Sequence, residues 1–222
     1  RNCNLHCAYC FIKAEKGLPH VPLERIREIA KYMGENGLME VRLTGGEPTS
    51  HPDFMDVVHA FQGEEVYVSV ATNGVFDARI RQALAEVEHL WLICSIDGVR
   101  ETHNRYRGNT YDTILENLVY LRNKNPTLMI RITTVLTKEN QDQMFELGKM
   151  CHSIGAESIT VIPLRPQVRS PEAKSWMVTA AEFKSVIESL VDARRLSGIQ
   201  CTTTIETDYK AMSYMGPVFT KR

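Results

Sequence analysis

Short β-branched runs alternate with longer amphipathic stretches along the chain. Continuous apolar runs predict strands, whereas apolar positions that recur every three or four residues predict helices. The predicted strands are Glu40–Leu43, Val66–Ala71, Leu90–Ser95, Met129–Leu136, Ser158–Pro163 and Ile199–Ile205. The predicted helices are Leu23–Glu35, Asp53–Phe61, Asp77–Val87, Tyr111–Asn123, Gln141–Ile154 and Ala180–Ser197. This alternation predicts an α/β fold with a parallel sheet that is covered on both faces.

The ends of the elements and of the chain refine this segmentation. Asp53 is expected to cap the second helix, and the segment Pro163–Pro171, with Arg165 and Arg169, is expected to be a loop that flanks a site. The sequence begins within the loop that carries the first cysteines, so we expect that the first strand of the fold is truncated. We expect residues 1–198 to form one core domain. Residues 199–222 are expected to hold the final strand and the start of a C-terminal extension.

Composition narrows the partners and the compartment. Lys and Arg number 26 against 27 Asp and Glu, which gives no reason to expect a nucleic acid or an anionic membrane as partner. No apolar run approaches the roughly 20 residues that span a bilayer. Three of the six cysteines fall within the first ten residues and the other three stand singly. This distribution predicts a reducing, cytoplasmic location rather than a disulfide scaffold. The isolated Cys94, Cys151 and Cys201 are expected to behave as small hydrophobic residues.

The other three cysteines form a C-x3-C-x2-C motif, Cys3, Cys7 and Cys10. Three thiolates on one tight loop can hold three corners of a cubane iron–sulfur cluster. The fourth iron then stays open, which is useful only if a small molecule binds there. The alternative is a zinc knuckle in which His6 or a distant cysteine is the fourth ligand.

Polar turns follow several of the predicted strands. Gly45-Gly46-Glu47-Pro48 lies about 35 residues beyond the cysteines, and its glycines permit close approach of a ligand to the backbone. Asn73, the Ser95–Gly98 turn and the His103–Gly108 segment are expected on the same rim of the sheet. Asn73 and Asp97 both precede glycine, so ordinary turn chemistry is the alternative for each.

With these motifs the chain resembles the radical S-adenosylmethionine superfamily. The Thr-Asn-Gly and Ser-Ile-Asp-Gly turns and the His-Asn-x-x-Arg-Gly segment are most similar to its peptide-modifying branch, the maturases of ribosomal peptides and of sulfatases. The resemblance implies a partial (β/α)6, TIM-like barrel with its site at the C-terminal ends of the strands. Members of this branch often carry a cysteine-rich SPASM or twitch extension, so we expect such motifs beyond residue 222.

The resemblance also implies roles for particular residues. Cys3, Cys7 and Cys10 would bind a 4Fe–4S cluster, Tyr9 matches the aromatic position before the last cysteine, and Gly45, Gly46, Glu47 and Pro48 match the turn that binds the methionine amino group. Asn73 and Asp97 would line the cofactor site, Ser95 would contact the ribose, and Arg107 would pair with the methionine carboxylate. Val135 and Ile162 would border the adenine, and Asp208 would act as a proton-accepting acid.

Plainer interpretations stay open for some of these residues. Arg107 could be a solvated loop charge, Val135 and Ile162 could be core residues, and Asp208 could be a surface acid. Arg131 could point toward substrate or form a buried ion pair.

The implied reaction begins with one electron from a donor such as flavodoxin or ferredoxin. The bound S-adenosylmethionine then breaks into methionine and a 5′-deoxyadenosyl radical, which takes a hydrogen atom from a side chain of a peptide or protein. Two other functions stay open at this point. One is a radical enzyme acting on a small molecule, as in early molybdenum cofactor synthesis. The other is a zinc-stabilised binding module without catalysis.

Overall fold

Strands and helices alternate through the computed structural model, which describes residues 2–10, 12, 17–165, 171–197 and 200–203. Within these residues the strands are β1 (Glu40–Leu43), β2 (Tyr67–Thr72), β3 (Leu90–Ser95), β4 (Met129–Leu136), β5 (Ser158–Pro163) and β6 (Gln200–Thr203). Strands β1, β3, β4 and β5 have the predicted bounds, and β2 is shifted by one residue. β6 lies inside the predicted Ile199–Ile205 run.

The six described strands form one parallel sheet in which strand order follows sequence order. Ser158 pairs with Gln200, so β6 joins the same sheet as its last described strand. Among the described strands, β1 and β6 lie at the two open edges of the sheet. The predicted α/β architecture, a partial barrel that does not close, is therefore confirmed.

Of the described helices, α1 precedes β1 and the others lie between successive strands. They are α1 (Leu23–Glu35), α2 (Phe54–Gln62), α3 (Ala78–Glu86), α4 (Arg100–Arg107), α5 (Tyr111–Lys124), α6 (Met144–Ser153), α7 (Pro171–Ser175) and α8 (Ala180–Ser197), with 3-10 turns at Pro48–Ser50 and Gln141–Gln143. Asp53 occupies the N-cap position of α2 without forming the expected side-chain hydrogen bond. No helix in the described ranges is both long and apolar enough to cross a membrane.

Helix α4 was not predicted, because its sequence lacks an aliphatic stripe. Its buried face consists of Thr102, His103 and Tyr106, whose polar atoms find partners inside the protein. A pattern search for apolar residues at helical spacing does not register such a face. The segment predicted at the rim is thus a helix whose buried face packs against the protein and whose last residue, Arg107, lines the cavity at the rim.

The two faces of the sheet differ, which corrects the expectation that both are covered. In β4 the residues that face the helices, such as Ile130 and Ile132, are fully buried. The alternate residues, such as Thr133 and Val135, are only half-buried. Those residues face the concave side of the sheet, where residues from β1 to β5 line a common cavity. Hydrophobic burial against the helices therefore stabilises the scaffold, and the concave face is left for ligands.

Candidate active site

A cavity of about 440 Å³ opens at the C-terminal ends of the strands. Most of the residues predicted for the site line this cavity: Cys3, Cys7, Tyr9, Cys10, Gly45, Gly46, Asn73, Ser95, Arg107, Val135 and Ile162. Its volume lies in the range of pockets that bind small organic ligands. The topology thus brings together three cysteines, two polar turns and an apolar wall that are distant in sequence.

The three cysteines of the loop are free thiols and each is half-buried. Cys10 N donates to Cys7 O at 3.1 Å, and Ala8 N donates to Tyr106 O at 2.9 Å, so the loop is tightened and attached to α4. His6 is exposed. No three His, Cys, Asp or Glu side chains in the described part of the chain are arranged around one metal ion. A cubane binds each cysteine through a different iron, so three thiols on one cavity wall fit such a cluster.

Burial controls the protonation of these thiols. Burial raises the pKa of the Cys7 thiol to about 11, and the nearby Arg107 guanidinium lowers it in part. Burial likewise raises the pKa of the Cys3 thiol. Iron binds the thiolate, so cluster assembly must release these protons.

Arg107, Tyr9 and Asp97 form a buried cluster beside the cysteine loop, which we call the Asp97 cluster. Arg107 Nε donates to Asp97 Oδ2 at 2.5 Å, and the Tyr9 hydroxyl donates to the same oxygen. Val135 N donates to Asp97 Oδ1 at 2.8 Å. Burial lowers the pKa of Arg107, but the charges of Asp97, Tyr9 and Cys7 and the hydrogen bond to Asp97 together raise it well above its ordinary value, so the guanidinium stays charged.

The Asp97 cluster changes the roles available to two predicted residues. Asp97 is fully buried and does not line the cavity; its carboxylate instead orients Arg107 and Tyr9. Arg107 is not a solvated loop charge, since only 10% of its side chain is exposed. Its Nη1 lies 4.0 Å from Cys7 Sγ, so the arginine faces the cavity next to the cysteine loop.

Glu47 fastens the glycine turn to the sheet. Its Oε1 accepts hydrogen bonds from Thr49 N, Thr49 Oγ1 and Thr72 Oγ1, and its Oε2 accepts one from Asn73 N at 2.7 Å. Burial raises the pKa of Glu47 while these hydrogen bonds lower it. Both carboxylate oxygens are thus engaged within the protein.

The glycine turn has two sides. Gly45 and Gly46 line the main cavity. Glu47 and Pro48 instead line a second cavity of about 290 Å³ behind the turn, which Gly45 and Gly46 also reach. The ligand on the main side would therefore meet glycine backbone rather than the Glu47 carboxylate.

Asn73 connects the end of β2 to the cysteine loop. Its Nδ2 donates to Asn4 Oδ1 at 2.7 Å and lies 3.9 Å from Cys3 Sγ. Its Oδ1 accepts a hydrogen bond from Val75 N at 2.9 Å, which is an Asx turn. Asn73 therefore performs the turn chemistry that was the alternative interpretation and also lines the cavity.

The far wall of the cavity is apolar. Val135 of β4 and Ile162 of β5 are paired in register, and neither is fully buried. Ser95 at the end of β3 adds a hydroxyl to the wall beside them. Val135 and Ile162 suit a flat apolar group of a ligand, and Ser95 suits a polar group next to it.

Three further residues of this region were not predicted to bind the cofactors. Arg42 lines the cavity from β1. It lies two residues before Thr44 and therefore on the same strand face, and this spacing could have predicted its place in the cavity wall. His103 lies fully buried under the rim, where its Nδ1 accepts a hydrogen bond from Asp97 N at 3.2 Å. Arg131 lies on the concave face of β4 with Thr133 and Val135, which is the direction that one of its two predicted roles required, and its guanidinium lies 3.9 Å from the ring centre of Trp91.

The cysteines outside the loop fall into two groups. Cys94 and Cys151 are fully buried in the hydrophobic core, as expected of small hydrophobic residues. Asp208 and the side chain of Cys201 lie outside the described part of the structure, so their predicted roles stay predictions.

The model of the Radical SAM superfamily matches residues 1–151. The chain belongs to the radical SAM superfamily. Enzymes of this superfamily use a 4Fe–4S cluster and S-adenosylmethionine, and the cysteine loop and the cavity of this chain fit both.

Two curated relatives act on different substrates. GTP 3′,8-cyclase of Lactiplantibacillus plantarum is 27% identical over 86% of this chain and 59% of its own length. The mycofactocin maturase MftC of Mycolicibacterium smegmatis is 28% identical over 81% of this chain and 46% of its own. The chain thus spans about half the length of the relatives it matches.

Solved structures of SuiB from Streptococcus suis share the fold. SuiB bound to S-adenosylmethionine superimposes with a TM-score of 0.78 and 19% identity, over 91% of this chain and 48% of SuiB. SuiB bound to its precursor peptide SuiA gives 0.81 and 18% identity, over 96% of this chain and 49% of SuiB. At these identities the likeness establishes the architecture alone.

Proposed function

We propose that the chain is the catalytic core of an enzyme that abstracts a hydrogen atom from a side chain of a peptide or protein. The observation that carries this proposal is the volume of the cavity. The cluster on the three cysteines and S-adenosylmethionine, a drug-sized molecule, would together fill most of about 440 Å³. The space that remains suits one side chain projecting from a longer chain better than a second nucleotide-sized molecule.

The residues of the cavity would divide the task of holding the cofactors. Cys3, Cys7 and Cys10 would bind the cluster, which, with S-adenosylmethionine, supplies a hydrogen-abstracting radical. The backbone of Gly45 and Gly46 would approach the methionine portion, with Arg107 on its carboxylate.

The remaining contacts would orient the other half of the cofactor. Ser95 would contact the ribose, and Val135 with Ile162 would border the adenine while excluding water. Tyr9 and Asn73 would hold the cysteine loop against the rim through their hydrogen bonds. Asp97 holds Arg107 and Tyr9, and Glu47 holds the backbone of Asn73, so the site is preorganised before ligands bind.

The electron would come from a small reductase such as flavodoxin or ferredoxin. The cysteine loop is only half-buried, so a donor could approach it from outside the barrel. The free thiols of the described cysteines support a cytoplasmic location, where disulfides are rare.

The first test is anaerobic reconstitution with iron and sulfide. The reconstituted chain should show broad visible absorbance and, with dithionite, convert S-adenosylmethionine to 5′-deoxyadenosine. Cys7→Ala should abolish both signals, because it removes a cluster ligand. Cys151→Ala changes a core cysteine on α6 and should keep both. An active Cys7→Ala variant, or protein that holds one zinc and makes no 5′-deoxyadenosine, would refute the assignment.

The second test concerns the substrate. A peptide encoded next to the gene is incubated with the reconstituted protein and analysed by mass spectrometry. Deuterium placed on the modified side chain should appear in 5′-deoxyadenosine, since the abstracted atom ends there. A modified peptide without deuterium in 5′-deoxyadenosine would contradict side-chain abstraction at that position.

A small-molecule substrate is the second candidate. It is favoured by the identity to GTP 3′,8-cyclase and by the arginines that line the cavity. GTP should then raise 5′-deoxyadenosine formation where peptides do not.

A further inference from the structure

The charged side chains of the main cavity all have the same sign. Arg42, Arg107 and Arg165 line it, and no Asp or Glu in the described part of the chain contributes to its wall. S-adenosylmethionine carries a sulfonium and an ammonium against one carboxylate, so it adds further positive charge. The three thiolates that would bind the cluster supply negative charge, but they lie in the cysteine loop beside Arg107, so Arg42 on β1 stays open to an anionic group of the substrate.

Two of these arginines are held very differently. Arg107 is almost fully buried, and its charge is matched by Asp97 at 2.5 Å. Arg42 lies 3.5 Å from Ser69 Oγ and 4.0 Å from Glu40 Oε1, both at the limit of an interaction. The side chains of Arg42 and Glu40 are 58% and 47% exposed, so their pairing is weak and a ligand carboxylate can replace it.

The two arginines also lie at different depths. Arg107 is next to Cys7 of the cysteine loop, near the predicted place of the methionine carboxylate. Arg42 is two residues before Thr44 on β1, which places it about 6–7 Å further along the strand from the rim. Thr133 on the concave face of β4 adds a hydroxyl to this inner part of the wall. The inner part therefore offers a guanidinium and a hydroxyl to a group that enters past the cofactor.

We propose that Arg42 binds a carboxylate of the substrate, so that the peptide carries an Asp or Glu side chain at or next to the modified residue. This inference rests on the proposed function, because it assigns the peptide to the same cavity. The planar guanidinium matches a carboxylate through two parallel hydrogen bonds, which fixes orientation as well as charge. Arg42 is then a specificity-determining residue.

A peptide library tests this inference. The full chain, reconstituted with its cluster and loaded with S-adenosylmethionine, is immobilised and incubated with short acetylated and amidated peptides in which one position is Glu, Gln, Asp or Asn. Blocked termini leave the varied side chain as the only carboxylate. Retained peptides are quantified by mass spectrometry, and a parallel experiment offers GTP as a source of phosphate.

Matched variants separate the role of Arg42 from a general effect of charge. Wild-type protein should retain acidic peptides about tenfold over their amide counterparts, as expected for a charge-assisted hydrogen bond. Arg42→Gln should remove this preference and Arg42→Lys should keep part of it. Arg25→Gln changes an exposed arginine on α1, outside the cavity, and should behave as wild type. Iron content and circular dichroism identify the variants that fold and carry the cluster.

The failures of the two proposals look different. If peptides are retained without preference for acids, or if Arg42→Gln keeps the preference, the role of Arg42 is overturned and the peptide substrate stands. If no peptide is retained and GTP is, both the peptide substrate and its carboxylate are overturned.

Discussion

Arg107 and Asp97 are joined by a hydrogen bond of 2.5 Å although ten residues separate them in sequence. The carboxylate follows β3 and the guanidinium ends α4, so the bond closes the loop between these elements. The acid is fully buried and the arginine almost so. A guanidinium that lines the cavity is thus oriented by a partner that no ligand reaches.

Neutralising this acid should destabilise the protein strongly. In Asp97→Asn, Arg107 keeps its charge in a buried place without a counter-ion, and the Tyr9 hydroxyl loses a charged acceptor. Breaking a buried pair in this way costs about 3–5 kcal/mol. Urea unfolding of the wild type and the variant measures the difference in free energy of unfolding.

The control for Asp97→Asn is an exposed pair of the same kind. Glu146 and Lys149 on α6 are both more than half exposed, so Glu146→Gln should cost at most about 0.5 kcal/mol. Equal losses in the two variants would show that the Asp97 pair is no stronger than a surface pair.

Replacing Glu47 by Gln should loosen the glycine turn. A glutamine amide accepts hydrogen bonds at one atom only, so the N–H of Asn73 or the donors of Thr49 and Thr72 lose their acceptor. One unsatisfied buried donor costs about 1–3 kcal/mol. The Kd for S-adenosylmethionine, measured by calorimetry on the reconstituted protein, should rise.

The matched control is Glu35→Gln at the exposed end of α1, where the Lys31 pair is 3.8 Å long. It should change neither stability nor the Kd. A Glu47→Gln variant that binds S-adenosylmethionine as the wild type does would show that the turn holds its shape without the carboxylate.

His103 should make stability depend on pH. Burial lowers the pKa of His103 to about 4, from 6.5 for an ordinary histidine, and its Nδ1 must stay unprotonated to accept from Asp97 N. The unfolded chain takes up this proton below about pH 6.5 and the folded chain only below about pH 4. The free energy of unfolding is thus highest above pH 6.5 and falls by roughly 3 kcal/mol as the pH drops to 4.

His103→Asn removes this titration, so the free energy of unfolding of the variant should fall less between pH 6.5 and pH 4 than that of the wild type. Urea unfolding of wild type and variant across this window provides the comparison, and parallel curves would contradict the assignment. NMR titration of the wild type is independent of the variant. Its His103 ring signal should not shift between pH 7 and pH 5.

The strands were predictable from sequence because their signal is local. The β-branched run Met129–Leu136 identifies β4 without knowledge of the rest of the chain. The Asp97 cluster was not predictable in this way. The sequence Ser-Ile-Asp-Gly is identical whether the carboxylate faces the cavity or the protein interior. The partner Tyr9 is also 88 residues away, so no local pattern connects it to Asp97. Helix α4 was hidden for a related reason, since His103 and Tyr106 are buried through hydrogen bonds rather than through aliphatic packing.

Gly74 should be intolerant of any side chain. Its φ is +77°, and a Cβ there would lie 2.6 Å from Cys94 Sγ and 2.9 Å from Ile114 Cγ2, both in the buried core. Gly74→Ala combines a strained backbone with overpacking, so we expect a loss of roughly 3 kcal/mol in urea unfolding. The backbone shift that relieves the clash would also move Asn73, which contacts the cysteine loop.

Gly37 provides the matched control, because it shares the backbone strain without the clash. Its φ is +66° and no atom lies within 4 Å of the position of a Cβ. Gly37→Ala should therefore cost only roughly 1 kcal/mol, the part that comes from the left-handed backbone. The excess loss in Gly74→Ala then measures how tightly Gly74 is packed against Cys94 of β3 and Ile114 of α5. Similar losses in the two variants would mean that this core yields to a methyl group and does not hold Asn73 in place.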